Sequence, residues 1–530
     1  MRRRFGASFV VLVTLVSLLF GSVPASGAGG GGTDPGARTE AEAALARAQA
    51  LFASAAFDGT VARRDPRSAT LVLRDLVLRL NDLSATDRAA ALALLARPTD
   101  GDADDQDQGY KVEEATPICT TRACVHYVTT TVDAPPADDD DDDGVPDYIE
   151  TVVDTTDEVW DREITQFGFR RPKSDVTSEN NGGNGLIDIY VAQIGNDGLY
   201  GYCTTDDPNA SDPDYPTWDF SAYCVVDNDF DIGEFPPPSA NGVEALQVTV
   251  AHEFFHAVQY AYDAAEDRWF MESSASWMED EVFDDVDDNL QYLSASPLSQ
   301  PQVPLDNNIR FNVYGNWVFH RYLSESTGSA DVIREAWERA DSTGQTDPFS
   351  IRAIDGALAD LGSSFEEAFI GFTMVNGAPE HFYEEGERYR TPPFTRRVAI
   401  TRKDGGAEGG TSLDHLSARY FAFEPATGVS GGARLLVEVD GPPRSSAPGA
   451  SVVVTYEDGT VEFVPVALNK KGVGEVRVDF GRQAVTEVVL VLANASIRSR
   501  CLVDPSWKFS CLGDPKDDNE RFDYAVTLIQ

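Results

Sequence analysis

The sequence predicts an α+β protein, because helix-forming and strand-forming stretches follow one another in blocks along the chain. Residues 29–110 are rich in Ala and Leu at helical spacing, residues 111–395 combine helices with short strands, and residues 396–530 consist mainly of strands. A chain of 530 residues also exceeds what one hydrophobic core usually supports. We therefore expect these three regions to be separate structural units.

The first residues and the charge indicate an exported protein. Residues 1–28 contain, in order, three arginines, an apolar stretch at 9–20 and small residues at 25–28. This order is typical of a signal peptide. The formal net charge of −46 would repel phosphate groups, so we expect neither nucleic acid nor a membrane surface as a partner. We expect a secreted, extracellular protein that is a monomer.

Six cysteines agree with the oxidising compartment that secretion implies. They lie in pairs that are close in sequence, although six cysteines allow other pairings. We expect three local disulfides: Cys119–Cys124, Cys203–Cys224 and Cys501–Cys511.

The Ala/Leu-rich pattern of the first region runs from Ala41 to Arg97, after a Gly-rich tether. Pro98 and an acidic stretch that contains glycine end the pattern. Two interpretations fit this segment. It is either an inhibitory propeptide or a helical accessory domain that stays with the protein, and the sequence leaves both open.

An acidic run after a predicted strand at 124–132 has the spacing of a calcium-binding loop. With Gly144 at the sixth position, the ligand positions of such a loop are filled by Asp139, Asp141, Asp143, Val145, Asp147 and Glu150. A merely solvated acidic run does not need glycine and glutamate at the sixth and twelfth positions. We therefore expect a structural Ca²⁺ ion here, followed by a helix over residues 147–168.

The predicted helix at Val243–Val258 contains the sequence His252-Glu253-Phe254-Phe255-His256. Histidines four residues apart lie on one face of a helix, so both imidazoles can bind one ion. Glu253 then projects beside that ion, where its carboxylate can accept a proton from the attacking water. This HExxH pattern predicts a Zn²⁺ site with Glu253 as the catalytic base.

A catalytic zinc usually takes three protein ligands. Gln259 and Tyr262 stand where the metzincin pattern requires glycine and histidine, so that class is excluded. Glu272 is the predicted third ligand, because the small residues that follow it would let its helix approach the histidine helix closely. Glu279 lies seven residues later on the same face, and we expect it behind the ligands or in helix packing.

These motifs resemble the gluzincin group of zinc peptidases, in which the third ligand lies in a W-x-x-E-[GS]-x-A sequence, as at Trp269–Ala275. More narrowly, residues 115–340 are similar to the secreted bacterial metalloprotease family of the MXAN type. The shared motifs are Val125–Tyr127, Gly144–Tyr148, Gly198–Tyr202, Val226–Phe230 and His252–Gln259. The resemblance implies a zincin-like catalytic domain at 111–395, with His252, His256 and Glu272 on zinc and Glu253 as base.

Two downstream residues with ring side chains, Tyr314 and His320, are considered for the same site. Tyr314 precedes a glycine and an apolar helix, an arrangement that recurs in proteins resembling gluzincins. Tyr314 either donates a hydrogen bond to the developing oxyanion or simply packs as an aromatic residue, and the sequence does not decide between them. His320, on the helix predicted over residues 311–323, is expected to pack and not to bind metal.

The last region contains seven short strand patterns between Arg419 and Leu528, separated by turn residues, which predict a β-sandwich at 396–530.

The sequence as a whole predicts a secreted zinc-dependent endopeptidase that acts on a protein or peptide substrate. The alternative is a calcium-stabilised extracellular binding or adhesion protein with a vestigial zincin site. The intact Glu253 and Glu272 favour the enzyme, since a vestigial site has no need of its base.

Overall fold

A computed structural model of the chain describes residues 35–52, 69–100, 109–178, 180–207, 218–237, 239–309, 311–343, 348–503 and 508–529. The predicted signal peptide at 1–28 lies outside the described residues. In the described ranges, every helix is too short or too polar to span a lipid bilayer.

The described chain contains both helices and strands, which confirms the α+β class. The α-helices are α1 (Pro35–Phe52), α2 (Ala69–Val77), α3 (Ala85–Leu94), α4 (Asp147–Trp160), α5 (Gly242–Tyr260), α6 (Arg268–Val282), α7 (Asn312–Gly315), α8 (Trp317–Thr327), α9 (Asp331–Arg339), α10 (Ser350–Asp360) and α11 (Phe365–Val375). The strands are β1 (Ile118–Cys119), β2 (Ala123–His126), β3 (Ile187–Ala192), β4 (Gly201–Thr204), β5 (Tyr223–Asp227), β6 (Phe394–Ile400), β7 (Gly406–Leu413), β8 (Ser417–Pro425), β9 (Arg434–Asp440), β10 (Pro448–Tyr456), β11 (Val461–Pro465), β12 (Val473–Asp479), β13 (Val485–Asn494), β14 (Ser499–Arg500), β15 (Asp514–Pro515) and β16 (Glu520–Ile529).

A five-stranded sheet in the order β1-β2-β3-β5-β4 supports the centre of the molecule. Strands β2, β3 and β5 run parallel, and β4 pairs antiparallel with β5 at the sheet edge. Helix α5 packs against β4 and β5 on one side and against α4 and α6 on others. The predicted HExxH helix is therefore a buried central element next to an edge strand.

The N-terminal helical segment packs directly onto this central unit. Its predicted pattern from Ala41 to Arg97 is divided into α1, α2 and α3, with a 3₁₀ turn before α3 and the Ser84 side chain accepting a hydrogen bond from the Asp87 amide at the start of α3. Helix α2 contacts β4. At the end of the segment, the hydroxyl of Tyr223 on β5 donates to the carbonyl of Ala96 at 2.9 Å.

Arg97 fixes the end of this segment to the sheet region. Its side chain is fully buried and forms ion pairs with Asp175 at 2.6 Å, Asp206 at 2.8 Å, and Asp188 on β3. Asp188 also accepts a hydrogen bond from His126 on β2 at 3.0 Å. A buried cation surrounded by three carboxylates is a specific attachment, because an unpaired buried charge is strongly unfavourable.

Local sequence patterns set several element boundaries incorrectly. The strand predicted over 124–132 ends at His126, and the helix predicted over 311–323 is divided between α7 and α8 at Asn316. The helix predicted over 147–168 is α4 followed by a π-helical turn at Asp161–Gln166. These corrections leave the predicted order of elements intact.

The C-terminal region contains two larger sheets, in the orders β11-β10-β13-β8-β6 and β12-β9-β16-β7. Their inward-facing residues share one buried apolar cluster, which includes Val437, Val452, Leu490 and Phe522. All seven predicted strands are present. The sequence missed β6, the two-residue strands β14 and β15, and the Gly-rich β7, which alternates poorly and depends on pairing with β16. Strand β6 begins at Phe394, just before the predicted boundary at 395/396.

The three disulfides are the predicted local pairs, Cys119–Cys124, Cys203–Cys224 and Cys501–Cys511. Their presence is compatible with an extracellular protein. The third disulfide places its loop against the start of α6, where the backbone amide of Cys511 donates to Asp267 at 2.9 Å. The indole of Trp269 on α6 donates to the hydroxyl of Ser510 at 2.7 Å. The C-terminal region therefore supports the helix that contains Glu272.

Candidate metal centre

Helices α5 and α6 bring His252, His256 and Glu272 together in the core. The two Nε2 atoms of the histidines are 3.1 Å apart. Oε2 of Glu272 lies 3.2 Å from Nε2 of His252 and 3.5 Å from Nε2 of His256. All three side chains are buried. The structure thus places the three predicted ligand atoms in one compact triangle.

The shape of this triangle fits a tetrahedral zinc ion. Ligand atoms about 2.0–2.1 Å from such an ion are about 3.3–3.4 Å from one another, and the three observed separations bracket that value. Oε1 of Glu272 is buried and has no hydrogen-bond partner among the described residues. Two imidazoles and a carboxylate are also the donor set of many catalytic zinc sites.

Two further residues orient the histidine rings. Nδ1 of His252 donates to Oε1 of Glu279 at 2.7 Å, and Nδ1 of His256 donates to Oε1 of Gln259 at the same distance. When Nδ1 carries the hydrogen of a neutral imidazole, Nε2 presents its lone pair. Both rings are therefore held with the metal-binding nitrogen directed into the triangle.

Without a metal, the site shares protons between its acids and imidazoles. Burial alone would lower the pKa of His252, but hydrogen bonds to Glu272 and Glu279 outweigh burial and raise this pKa to about 10. Burial alone would raise the pKa of Glu272, but hydrogen bonds to His252 and His256 outweigh burial and lower that pKa to about 2. The lowered pKa keeps the carboxylate of Glu272 in the charged form that binds a cation.

Glu253 lies on the side of α5 that faces the sheet edge. Its Oε2 accepts a hydrogen bond from the hydroxyl of Thr70 on α2 at 2.7 Å. Gly201 on β4 allows this close approach, since a Cβ atom there would lie 3.0 Å from Cγ of Glu253 and 2.8 Å from Cγ2 of Thr249. The predicted base therefore stands between the metal triangle, the edge strand and the N-terminal segment.

Tyr314 and His320 are both buried. The ring of Tyr314 lies beside His252, with 6.2 Å between ring centroids, and stacks on Tyr292. His320 stacks on Phe270 in an aromatic environment, and burial lowers its pKa to about 3. His320 is thus a neutral packing residue, whereas Tyr314 is placed where either predicted role is feasible.

The acidic loop lies apart from the zinc candidate, at the start of α4. Carboxylate oxygens of Asp139, Asp141 and Asp143 all lie within 4.8 Å of one another. The amide of Gly144 donates to Asp139 at 2.9 Å, and its φ of 92° is one that glycine adopts most easily. The remaining predicted ligands continue from the loop into the first turn of α4: Val145, Asp147 and Glu150. Burial, and then the charges of Asp141 and Asp143, raise the pKa of Glu150.

Sequence reasoning missed three residues of the centre. Thr70 lies 183 positions from its partner Glu253, and no local pattern signals such a contact. Gly201 belongs to a segment recognised by resemblance, but its packing role depends on the sheet. Gln259 entered only as evidence against the metzincin class, although its position one turn after His256 could have predicted a contact with that ring.

Comparisons with known proteins do not assign this chain to a family. No protein-family model matches the sequence, and no curated protein matches it. One similar solved structure is described as a novel family GH115 4-O-methyl-alpha-glucuronidase with specificity for decorated arabinogalactans. It is 9% identical with a TM-score of 0.14, and the alignment covers 58% of this chain. This chain spans 46% of the glucuronidase chain, and so low a TM-score supports no common fold or activity.

Proposed function

We propose that this chain is a secreted zinc-dependent endopeptidase that hydrolyses protein or peptide substrates. The triangle of His252, His256 and Glu272, formed by two helices at separations that suit tetrahedral zinc, is the observation that carries the proposal. Glu253 lies between the two histidines on the same helix. Its carboxylate is the group that hydrolysis by this mechanism requires as the base.

The protein's own groups have distinct roles in this proposal. Zinc, when bound, polarises the scissile carbonyl and makes water a stronger nucleophile. Glu253 accepts the proton of the attacking water and passes it to the leaving amine. Glu279 and Gln259 hold the imidazoles in the orientation that directs Nε2 into the site. Tyr314 lies near enough to His252 to be tested as a hydrogen-bond donor to the oxyanion.

The surroundings of the site support a peptide as the substrate. Strand β4 is the edge of its sheet, and the backbone amide of Cys203 on this strand points away from the sheet to the hydroxyl of Thr70. An extended peptide can pair with such an edge through its own backbone. The resemblance to gluzincins, the α5–β4 packing and the two C-terminal sheets support a zincin-like domain followed by a β-sandwich. The clustered carboxylates of Asp139, Asp141 and Asp143 support Ca²⁺ in the acidic loop.

The proposal is tested with the Glu253→Gln variant. With the N-terminal segment removed from every protein compared, and with zinc and calcium supplied, we expect the variant to bind one zinc ion as the wild type does and to lose hydrolysis of a quenched-fluorescent peptide library. Glu244→Gln, an exposed acid on the first turn of α5, is the matched control and keeps activity. Zinc-loaded wild type that hydrolyses no peptide, even after the N-terminal segment is removed, contradicts the proposal and favours the binding protein.

A further inference from the structure

The predicted metal ligands and base are closed off from solvent. Exposed fractions are 1% for His252, 2% for Glu253, and 0% for His256 and Glu272. An endopeptidase must admit a polypeptide to these atoms, so the closed state described here is not the state that binds substrate. Helix α2 of the N-terminal segment, which contacts β4, is part of what closes the site.

Thr70 on α2 occupies two groups that a substrate would need. Its hydroxyl donates to Oε2 of Glu253 at 2.7 Å and accepts a hydrogen bond from the amide of Cys203 on the edge strand at 2.8 Å. The carboxylate of the base is thereby hydrogen-bonded to the Thr70 side chain, where the attacking water would otherwise bind. The edge-strand amide donates its hydrogen bond to Thr70, and a substrate carbonyl cannot accept it at the same time. One hydroxyl group therefore forms hydrogen bonds with both the predicted base and the edge-strand amide.

Residues next to Thr70 attach α2 to the turn between the two metal helices. The guanidinium of Arg74 donates to the carbonyl oxygens of Ala264 at 3.2 Å and Glu266 at 2.8 Å. Asp75 pairs with Arg74 at 2.8 Å and with Arg268, the first residue of α6, at 3.6 Å. The side chains of Arg74 and Asp75 are buried. Charged groups buried in this way specify one docked position, since any other leaves them unpaired.

We propose that residues 69–97 are an intramolecular ligand of the candidate active site, which keeps the protein latent as long as the segment stays docked. This inference rests on the proposed function and extends it to the regulation of the same site. Departure of the segment frees Glu253 and the amide of Cys203 together.

The test is a full-length chain with a recognition sequence for a site-specific protease inserted between Asp104 and Asp105. Binding of a peptide hydroxamate, a zinc-directed probe, is measured in the zinc-loaded chain before and after cutting and gel filtration. We expect cutting to release the N-terminal fragment and to strengthen probe binding at least tenfold. The same insertion between Asp458 and Gly459, in an exposed turn, is the control and changes neither quantity when cut.

A second pair of variants tests Thr70 itself in the uncut chain. Thr70→Val keeps the shape but loses the hydroxyl, so the segment is held less tightly and probe binding strengthens about tenfold. Thr70→Ser keeps the hydroxyl and leaves probe binding at the wild-type level. Thermal unfolding of each uncut variant confirms that it is folded.

Three outcomes overturn the inference. Equal probe binding by the uncut and cut chains shows that the segment does not block the site. A cut chain that never releases its fragment, even with Thr70→Val, shows that the segment is a permanent domain. A cut chain that binds neither zinc nor probe shows that there is no metal centre to block. Release with strong probe binding but no peptide hydrolysis upholds the inference and instead contradicts the proposed endopeptidase activity.

Discussion

Nε2 of His415 lies 2.9 Å from Oδ1 of Asp306, across the junction between the strand-rich C-terminal region and the helical region that contains α6. Nδ1 of the same ring lies 2.6 Å from Asp518. Burial alone would lower the pKa of His415, but the charge of Asp306 and the hydrogen bonds to both aspartates raise this pKa to about 10. A doubly paired imidazolium therefore joins the two regions.

This pairing predicts a stability that depends on pH. Because the pKa of His415 is raised from 6.5, its contribution is fully present below pH 6.5 and is lost as pH rises through about 10. We expect the free energy of unfolding in urea to fall over this interval by on the order of a few kcal/mol more in the wild type than in His415→Gln. Parallel pH profiles of the two proteins would contradict the prediction.

Gln259 predicts an effect on metal affinity. Its amide oxygen accepts from His256, and its amide nitrogen donates to the carbonyl of Met271 on α6 at 2.9 Å. Gln259→Leu removes both contacts, so we expect zinc affinity to fall roughly 10- to 100-fold in chelator competition. Gln247→Leu, on the same helix but outside these contacts, is the control. Unchanged zinc affinity in a folded Gln259→Leu protein would mean that Gln259 does not position His256.

The raised pKa of His252 predicts that zinc binding is coupled to proton release. A zinc ion on Nε2 must replace the proton that His252 holds below about pH 10. Apparent zinc affinity is therefore expected to rise about tenfold per pH unit for each proton released, between about pH 6 and pH 9. Chelator competition at several pH values measures this slope. A slope of zero would show that the imidazole is already neutral in the metal-free protein.

Substitution of Gly201 is expected to impair catalysis without affecting metal binding. In Gly201→Ala the new methyl group meets Cγ of Glu253 at 3.0 Å and Cγ2 of Thr249 at 2.8 Å, so the base must move while the ligands need not. We expect peptide hydrolysis by the chain without its N-terminal segment to fall roughly tenfold or more, with zinc content preserved. Gly432→Ala, in open space, is the control. Loss of zinc from Gly201→Ala would assign Gly201 to the architecture of the metal site instead.

The parts of the site that the sequence predicts are those fixed by local geometry. His252, Glu253 and His256 lie on one helix, so their spacing determines their arrangement, and Glu272 follows a short connection later. Thr70 and Gly201 depend on how distant elements pack, and no spacing within the chain encodes that. The same distinction holds for the fold. Strands with alternating patterns were predicted, whereas β7, with glycines at three of its eight positions, takes its conformation from its partner β16.

The ion pairs of Arg97 have a consequence for the stability of the protein if residues 69–97 leave the site. Asp175, Asp188 and Asp206 surround this guanidinium, and the charge of Asp206 helps to raise its pKa in spite of burial. If the segment that contains Arg97 departs, these carboxylates lose their shared counter-charge and repel one another. The chain with the segment in place is then the more stable state at equilibrium. The lifetime of a chain that has lost this segment would then depend on how slowly it unfolds.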